Sequence, residues 1–344
     1  MSDKKNYQVI LASRPQGKPQ KDNFVIKKKS IPSLKNGEVL IKTIYLSLDP
    51  YMRGRMNSGK SYANPVETGE VMVGGTVGRV IDSKNSIFNI GDFVFGYGGW
   101  QEFWIQNEKG LRKLDPKKAP ISTATGILGM PGVTAYTGLL NIGKPKQGET
   151  VLVAAASGAV GSVVGQIARI KGAKVVGIAG SSKKCEFVIK ELGFDSCINH
   201  KSDDFPEMLK KSCPDGIDVY FENVGGKIFE LVIPLLNNFA RIPVCGLISL
   251  YNNYQIPPAP DLTPLIMKNI LIKRLTLRGF IVWDFQSQEE EAINHILNWI
   301  NEGKIRYRED FVYGLENAPE AFIGLLEGEN FGKLVVKVSD EKDS

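Results

Sequence analysis

Histidine is nearly missing from this 344-residue chain, which holds only His200 and His295. A hydrolytic triad or a histidine-rich metal centre is hard to build from that supply. His295, within EEEAINHILNW, reads as a surface residue of a charged helix. Cysteine is also thin: Cys185, Cys197, Cys213 and Cys245 form no C-x-x-C pair, and none precedes position 185. Unpatterned cysteines in a chain of this length read as free thiols of a reducing compartment. No apolar run approaches the ~20 residues that a membrane-spanning helix needs. The opening residues MSDKKNYQ carry no apolar core, so no signal peptide is expected. The closing EKDS matches no retention or peroxisomal tail. Together these absences predict a cytoplasmic protein. A strong charge of one sign is lacking too, with 43 Lys and Arg against 37 Asp and Glu. The densest basic run, Lys27-Lys28-Lys29, has no interleaved aromatic platform. It reads as a solvated loop beside a strand, and no nucleic-acid partner is expected.

What is present fits two domains, since 344 residues at 42% hydrophobic content exceed one simple core. Residues 1 to about 120 read as β-rich. GEVLIKTIYLSL, VMVGGTVGRVI and GDFVFGYGGWQEFWI are strand-like, with glycines where bulges or tight bends are expected. Frequent turn residues fit a small barrel. From Met130 the pattern changes to MPGVTAYTGLLNIG, which is helical in period. TVLVAAA, KVVGIAG, GIDVYFENVGG and ARIPVCGLIS then alternate with helical segments. That alternation predicts a parallel sheet covered on both faces. LTLRGFIVW reads as a further strand, and the final GKLVVKV as a lone strand needing a sheet to join. The expected fold class is α/β: a doubly wound Rossmann sheet plus a β-barrel domain. The expected boundaries are 1–125, completed by 310–344, and 126–309 between them.

The stretch AAASGAVGSVVGQIARIKG places the G-x-G-x-x-G positions on Ala156, Gly158 and Gly161. Gly158 would let the backbone approach a pyrophosphate, and Gly161 would let the helix pack closely on the strand. Ala156 departs from the pattern, tolerably if that turn residue keeps negative φ. A strand before and a helix after favour a nucleotide over a bare glycine turn. The second strand ends in Gly180-Ser181-Ser182-Lys183-Lys184, where an NAD site would carry an acid. A carboxylate there would repel a 2′-phosphate, whereas Lys and Ser would hold it, so NADPH is the expected cofactor. The alternative for these lysines is a solvated helix start, but a helix N-terminus does not favour lysine, which points to an anionic ligand there. With no cysteine or histidine before Cys185, the ligands of a zinc-dependent alcohol dehydrogenase's catalytic metal are missing from the first domain.

LSLDPYMRGRM, GMPGVTAYTGL, AASGAVGSVVGQIARIKG, GIDVYFENVGGK, RIPVCGLISLYN, RGFIVWDF and EGENFGKLVVKV span nearly the whole chain. Together they resemble the zinc-independent medium-chain dehydrogenases/reductases. Within these they look like the NADPH-dependent 2-alkenal (alkenal double-bond) reductases and prostaglandin reductases. The resemblance implies a GroES-like first domain, a Rossmann domain, and a homodimer joined edge to edge, for which RLTLRGFIVW has suitable content. It also implies nucleotide contacts at Ala155, Ala156, Ser157, Gly158, Ala159, Val160 and Gly161, then at Gly180, Lys184 and Asn223. Cys245, Gly246, Leu247, Ile248, Ser249, Leu250 and Tyr251 would lie under the nicotinamide. Phe280, Ile281 and Val282 would line its side, Asn330 would close the site, and Pro50 and Tyr51 would enter the cleft. His200 stands where the family usually has tyrosine, as NHK in place of NYK. It would contact the adenosine phosphate with a pH-sensitive imidazole, or be an ordinary loop residue.

The activity so implied is hydride transfer to the β-carbon of an α,β-unsaturated aldehyde or ketone. Without a metal, hydrogen-bond donors must stabilise the enolate. Tyr251 and Tyr51 are the catalytic candidates, with simple packing the alternative for Tyr251. Trp100 and Trp283 would suit an apolar substrate pocket or the core. Two other functions stay open: a quinone reductase of the same superfamily, and a crystallin-like or RNA-binding protein that holds NADPH without turnover.

Overall fold

The computed structural model describes residues 5–253 and 261–342. The chain divides into two compact units, Met1–Gly126 with Glu309–Ser344, and Ile127–Arg308. The first begins with β1 (Lys5–Leu11), β2 (Phe24–Ser30), β3 (Glu38–Ser47), α1 (Tyr51–Arg55), β4 (Thr76–Ser83), β5 (Phe93–Gly96), β6 (Phe103–Asn107) and β7 (Arg112–Leu114). The second runs through α2 (Met130–Thr137), β8 (Thr150–Val153), α3 (Gly161–Ile170), β9 (Lys174–Ala179), α4 (Ser182–Lys190), β10 (Ser196–Asn199) and α5 (Phe205–Ser212). It continues through β11 (Ile217–Phe221), α6 (Gly226–Val232), β12 (Leu236–Val244), α7 (Thr263–Lys273), β13 (Thr276–Gly279) and α8 (Glu289–Asn301). The chain then returns to the first unit with β14 (Glu309–Tyr313), α9 (Ala318–Leu326) and β15 (Lys333–Lys337).

In the first unit β1 pairs with β2, and a larger sheet has the order β14-β15-β3-β4-β5-β7 with β6 also on β3. β15 runs antiparallel to β3, with Val335 opposite Ser47. The terminal strand therefore finds its sheet among the first residues of the chain. Gly78 lies where β4 crosses β3: a Cβ there would stand 2.4 Å from Ile41 Cγ2 and 2.5 Å from the Lys42 carbonyl. The register shifts beside it, between Thr43 and Tyr45, as a glycine at a bulge allows. Trp100 is fully buried, stacked on Phe24 at 5.6 Å and edge-on to Phe322. It is a core residue of this unit.

The second unit is a six-stranded sheet, ordered β10-β9-β8-β11-β12-β13, with every pairing parallel. Counted from β8 this is the 3-2-1-4-5-6 order of the Rossmann fold. All four residues of β8 are buried, as a strand covered on both faces requires. The topological switch lies between β8 and β11, the place where such sheets bind ligands. The strand expected over LTLRGFIVW stops at Gly279, and Val282–Gln288 follows as tight 3₁₀ turns. That leaves Trp283 half exposed. Four-residue β10 and exposed α7 were not evident from sequence pattern. No described helix is long and apolar enough to cross a membrane.

Candidate functional site

The glycine loop leaves β8 at the centre of the sheet. Ala155 takes the left-handed turn, at φ 52°, and Ala156 stays outside that region. The Ala156 N–H donates to the Ile178 carbonyl at 2.9 Å, which ties the turn to β9. The departure from glycine at 156 is accommodated because the left-handed residue is its neighbour. A Cβ on Gly161 would stand 2.3 Å from the Ala155 oxygen, so the first turn of α3 packs directly on the loop. At Gly158 a Cβ would meet only that same oxygen, at 3.2 Å. The side of the loop at Gly158 is thus open, and the positive end of α3 stands behind it.

A second group lies where β9 and β10 end. Ser181 caps α4 by accepting the Lys184 N–H at 3.3 Å. The His200 N–H donates to the Ala179 carbonyl at 3.0 Å. A Cβ on Gly180 would stand 3.4 Å from His200 Nε2 and 3.8 Å from Lys201 Cε. Burial, with the Lys201 and Lys184 cations adding, holds the His200 imidazole below its ordinary value. Gly180, Lys184 and His200 are therefore neighbours, and Lys201 joins them. Lys201 escaped the sequence reading although it ends the same NHK motif.

A third group forms where β11 and β12 end. Asn223 Nδ2 donates to the Ala154 carbonyl at 2.8 Å, bracing this loop against the glycine loop. The N–H groups of Cys245 and Gly246 donate to the Glu222 carbonyl at 2.9 and 3.2 Å, and Ser249 N–H to Val224 at 3.1 Å. The segment 245–251 is thereby zipped along 222–224. The Tyr251 hydroxyl accepts the Leu247 N–H at 3.3 Å, and a Cβ on Gly246 would stand 3.1 Å from it. The phenol is thus folded back over its own loop. Burial, then the Glu222 charge, pushes the Cys245 thiol up to about 12.

Glu222 itself was not singled out by sequence. It is 1% exposed. One carboxylate oxygen accepts the Val224 and Gly225 N–H groups at 2.6 and 2.8 Å, and the other is buried beside the Tyr220 hydroxyl. Burial raises its pKa despite those donors. Phe280 turns its ring into the core, edge-on to Phe221 and against Gly138. Ile281 and Val282 are half-buried.

Two family models match this sequence: one described as the N-terminal domain of oxidoreductase, over residues 7–114, and one described as zinc-binding dehydrogenase, over residues 159–298. The NADPH-dependent curcumin reductase of Escherichia coli (strain K12) is 52% identical over 338 residues, 98% of each chain. The NADP(+)-dependent 2-alkenal reductase of Nicotiana tabacum is 43% identical, again over 98% of each. The crystal structure of CurA in complex with NADPH, from Vibrio vulnificus, superposes with a TM-score of 0.94 at 54% identity, covering 97% of this chain and 99% of that one. The chain belongs to the zinc-independent medium-chain dehydrogenase/reductase family. Its second unit is the family's Rossmann domain and its first the GroES-like domain. Among the described residues no group of three or more His, Cys, Asp or Glu is placed to hold a metal ion.

In the GroES-like domain Pro50 caps α1 and Tyr51 begins it. Burial, with the Asp49 charge adding, holds the Tyr51 phenol well above its usual range, so it stays protonated. Asp49 is paired with Lys333, whose Nζ donates to its carboxylate at 2.6 Å and to the Leu48 carbonyl at 2.7 Å. Both side chains are buried. The pair fastens the turn bearing Pro50 and Tyr51 to the start of β15. Asn330, three residues before Lys333, donates to the Gly332 carbonyl at 2.8 Å.

Proposed function

We propose that this protein reduces the C=C bond of α,β-unsaturated aldehydes and ketones with NADPH. It is an NADPH-dependent oxidoreductase of its family. The glycine loop and the N-terminus of α3 would hold the pyrophosphate. Lys184, Lys201, Ser181 and His200 would hold the 2′-phosphate. These side chains fit that group, since cations and a capped helix start stand where an NAD site would carry an acid. When bound, NADPH supplies the hydride that adds to the β-carbon.

The remaining work falls to the protein's own residues. Charge grows on the carbonyl oxygen as the β-carbon is reduced, and a neutral O–H donor is needed there. The observation that carries this reading is Tyr251, whose hydroxyl accepts from Leu247 N–H on the 245–251 loop. The contact fixes the phenol on that loop, and a phenol can both accept and donate, which is the chemistry an enolate needs. Tyr51, kept protonated by burial, is the second donor in this scheme. The α-carbon then takes a proton from a tyrosine or from water.

The test follows the absorbance of the reduced nicotinamide with trans-2-nonenal, with NADH and a quinone as controls, and identifies the product. NADPH consumption yielding the saturated aldehyde is the expected result. Consumption with the quinone alone would make the protein a quinone reductase. Tight NADPH binding without turnover would overturn the catalytic assignment. Two copies pairing through the edge strand β13 also fit the reading. Leu271 and Met267 on the adjoining α7 are 77% and 58% exposed, an apolar surface suited to a second copy. Light scattering in solution should give twice the chain mass. A cytoplasmic location fits the four free thiols.

A further inference from the structure

We propose that Cys185 and Cys197 form an oxidisable dithiol at the outer edge of the Rossmann sheet, and that its closure by a peroxide weakens NADPH binding. The effect on NADPH rests on the cofactor reading above; the dithiol itself does not. Cys185 lies in the first half of α4 and Cys197 is the second residue of β10. α4 packs on β10, which brings the two thiols within each other's electrostatic reach. Cys197 Sγ sits beside Gly177 of β9, where a Cβ would stand 3.1 Å from it and 2.8 Å from the Ala156 Cβ of the glycine loop. Both cysteines line a surface pocket of about 380 Å³, together with Ser182, Lys190 and Asn199. Cys185 is buried and Cys197 half-buried, and the pocket is the path by which a peroxide would reach them. Among the described residues β10 is an edge strand, bonded only to β9, at the opposite end of the sheet from β13. Pairing of two copies at β13 would leave the pocket open. Cys213 and Cys245 are not part of it.

The two thiols differ in acidity. The neighbouring Cys197 thiol favours the Cys185 thiolate, while burial opposes it. The neighbouring Cys185, and then burial, keep Cys197 protonated. Cys185 also lies in the first turn of α4, where the positive end of the helix favours a thiolate, and is the nucleophile in this scheme. Its thiolate attacks one peroxide oxygen; the O–O bond breaks, and the departing hydroxide takes a proton to become water. The Cys197 sulfur then attacks the resulting sulfenic acid. The S–S bond forms, the S–O bond breaks, and the Cys197 proton leaves with that hydroxide as a second water. Two thiols have lost two electrons and two protons, and the peroxide has taken up both.

A disulfide is only ~2.05 Å long, shorter than any non-bonded approach of two sulfurs. Its closure would pin α4 to β10. Ser181 and Lys184 ride on the start of α4, while His200 and Lys201 follow directly after β10. The bond therefore shifts against each other the groups that would share the 2′-phosphate.

The experiment titrates the full-length reduced protein with hydrogen peroxide, maps its peptides, and measures NADPH and NADH affinity before and after. The expected result is a Cys185–Cys197 disulfide that dithiothreitol reverses. NADPH binding should weaken roughly ten-fold, about the loss of one charge-assisted phosphate contact, with NADH binding unchanged. Cys197→Ser and Cys185→Ser proteins should bind NADPH like the reduced parent and ignore peroxide. A mapped disulfide with unchanged NADPH affinity overturns the proposal, as does peroxide treatment that forms no such disulfide. If the reduced protein shows no preference for NADPH over NADH, the cofactor reading falls, and with it the link to NADPH; peptide mapping then judges the dithiol by itself.

Discussion

Gly158 and Gly161 occupy two positions of one fingerprint, and the structure gives them different work. Alanine at 161 would set a methyl 2.3 Å from the Ala155 oxygen, 2.9 Å from the Ala155 carbonyl carbon and 3.1 Å from the Ala154 oxygen. The first distance falls about 1 Å short of a relaxed C···O contact of ~3.3 Å. Every atom it meets is backbone of a turn whose Ala155 already sits at positive φ. No side chain can swing away, so α3 or the turn must move. Overpacking of this kind costs about 1–3 kcal/mol, or a fall of roughly 3–10 °C in melting temperature for a domain of this size. Alanine at 158 meets only one atom, at 3.2 Å, and needs no positive φ. Its melting temperature should change little, the close backbone contact offsetting the gain from restricting the unfolded chain. Its methyl, however, stands where the backbone would approach the pyrophosphate. NADPH affinity of Gly158→Ala should fall by ~10-fold or more. Differential scanning fluorimetry without ligand, and fluorescence titration with NADPH, separate the two effects. Equal melting shifts for both variants would refute the packing role of Gly161. Undiminished NADPH affinity in Gly158→Ala would refute the phosphate role of Gly158.

Lys184→Ala should weaken NADPH by roughly ten-fold and leave NADH unchanged, as read by titration with both; equal losses would remove Lys184 from the 2′-phosphate. Tyr251→Phe keeps the ring and removes the donor, so kcat for an enal should drop about 10²-fold with NADPH affinity unchanged; an unaltered kcat would assign the residue to packing. Lys333→Met strands the buried Asp49 carboxylate and should destabilise by about 3–5 kcal/mol in denaturant melts, with Asp49→Leu added restoring much of it. His200 titrates below its ordinary 6.5 in the folded chain, so between those values the unfolded chain holds a proton that the folded one lacks. Stability contributed by this residue is present above pH 6.5 and lost as pH falls through that window; His200→Gln should flatten that part of the stability profile.

The parts of the site that were legible in sequence are those made locally. Strand, turn and helix follow one another within the glycine loop, and turn chemistry is written in adjacent residues. The Gly180–Lys184 run was legible for a similar reason, because it follows the hydrophobic run of β9 directly, whereas Asn223 came only with the family resemblance. β10 was harder, because four residues, SCIN, carry too little period to distinguish a strand from a loop. Phe280 shows a different limit. Its segment was identifiable, but the direction of its ring depends on Gly138, about 140 residues earlier, which leaves room for it.

Buried charge was least legible of all. Glu222 and Lys333 are residue types that pattern places on the surface, yet they are 1% and 4% exposed. Each survives burial by the partners it finds: two backbone N–H groups for Glu222, a carboxylate and a carbonyl for Lys333. Glu222 lies one residue before Asn223, and Lys333 pairs with the residue before Pro50. These costly groups therefore fix the loops that carry the proposed contacts. Removing either should displace a neighbouring site residue as well as lower stability. The dithiol obeys the same logic. Cys185 and Cys197 are unremarkable in sequence, and become a pair only because β10 returns beside β9 and carries α4 across both.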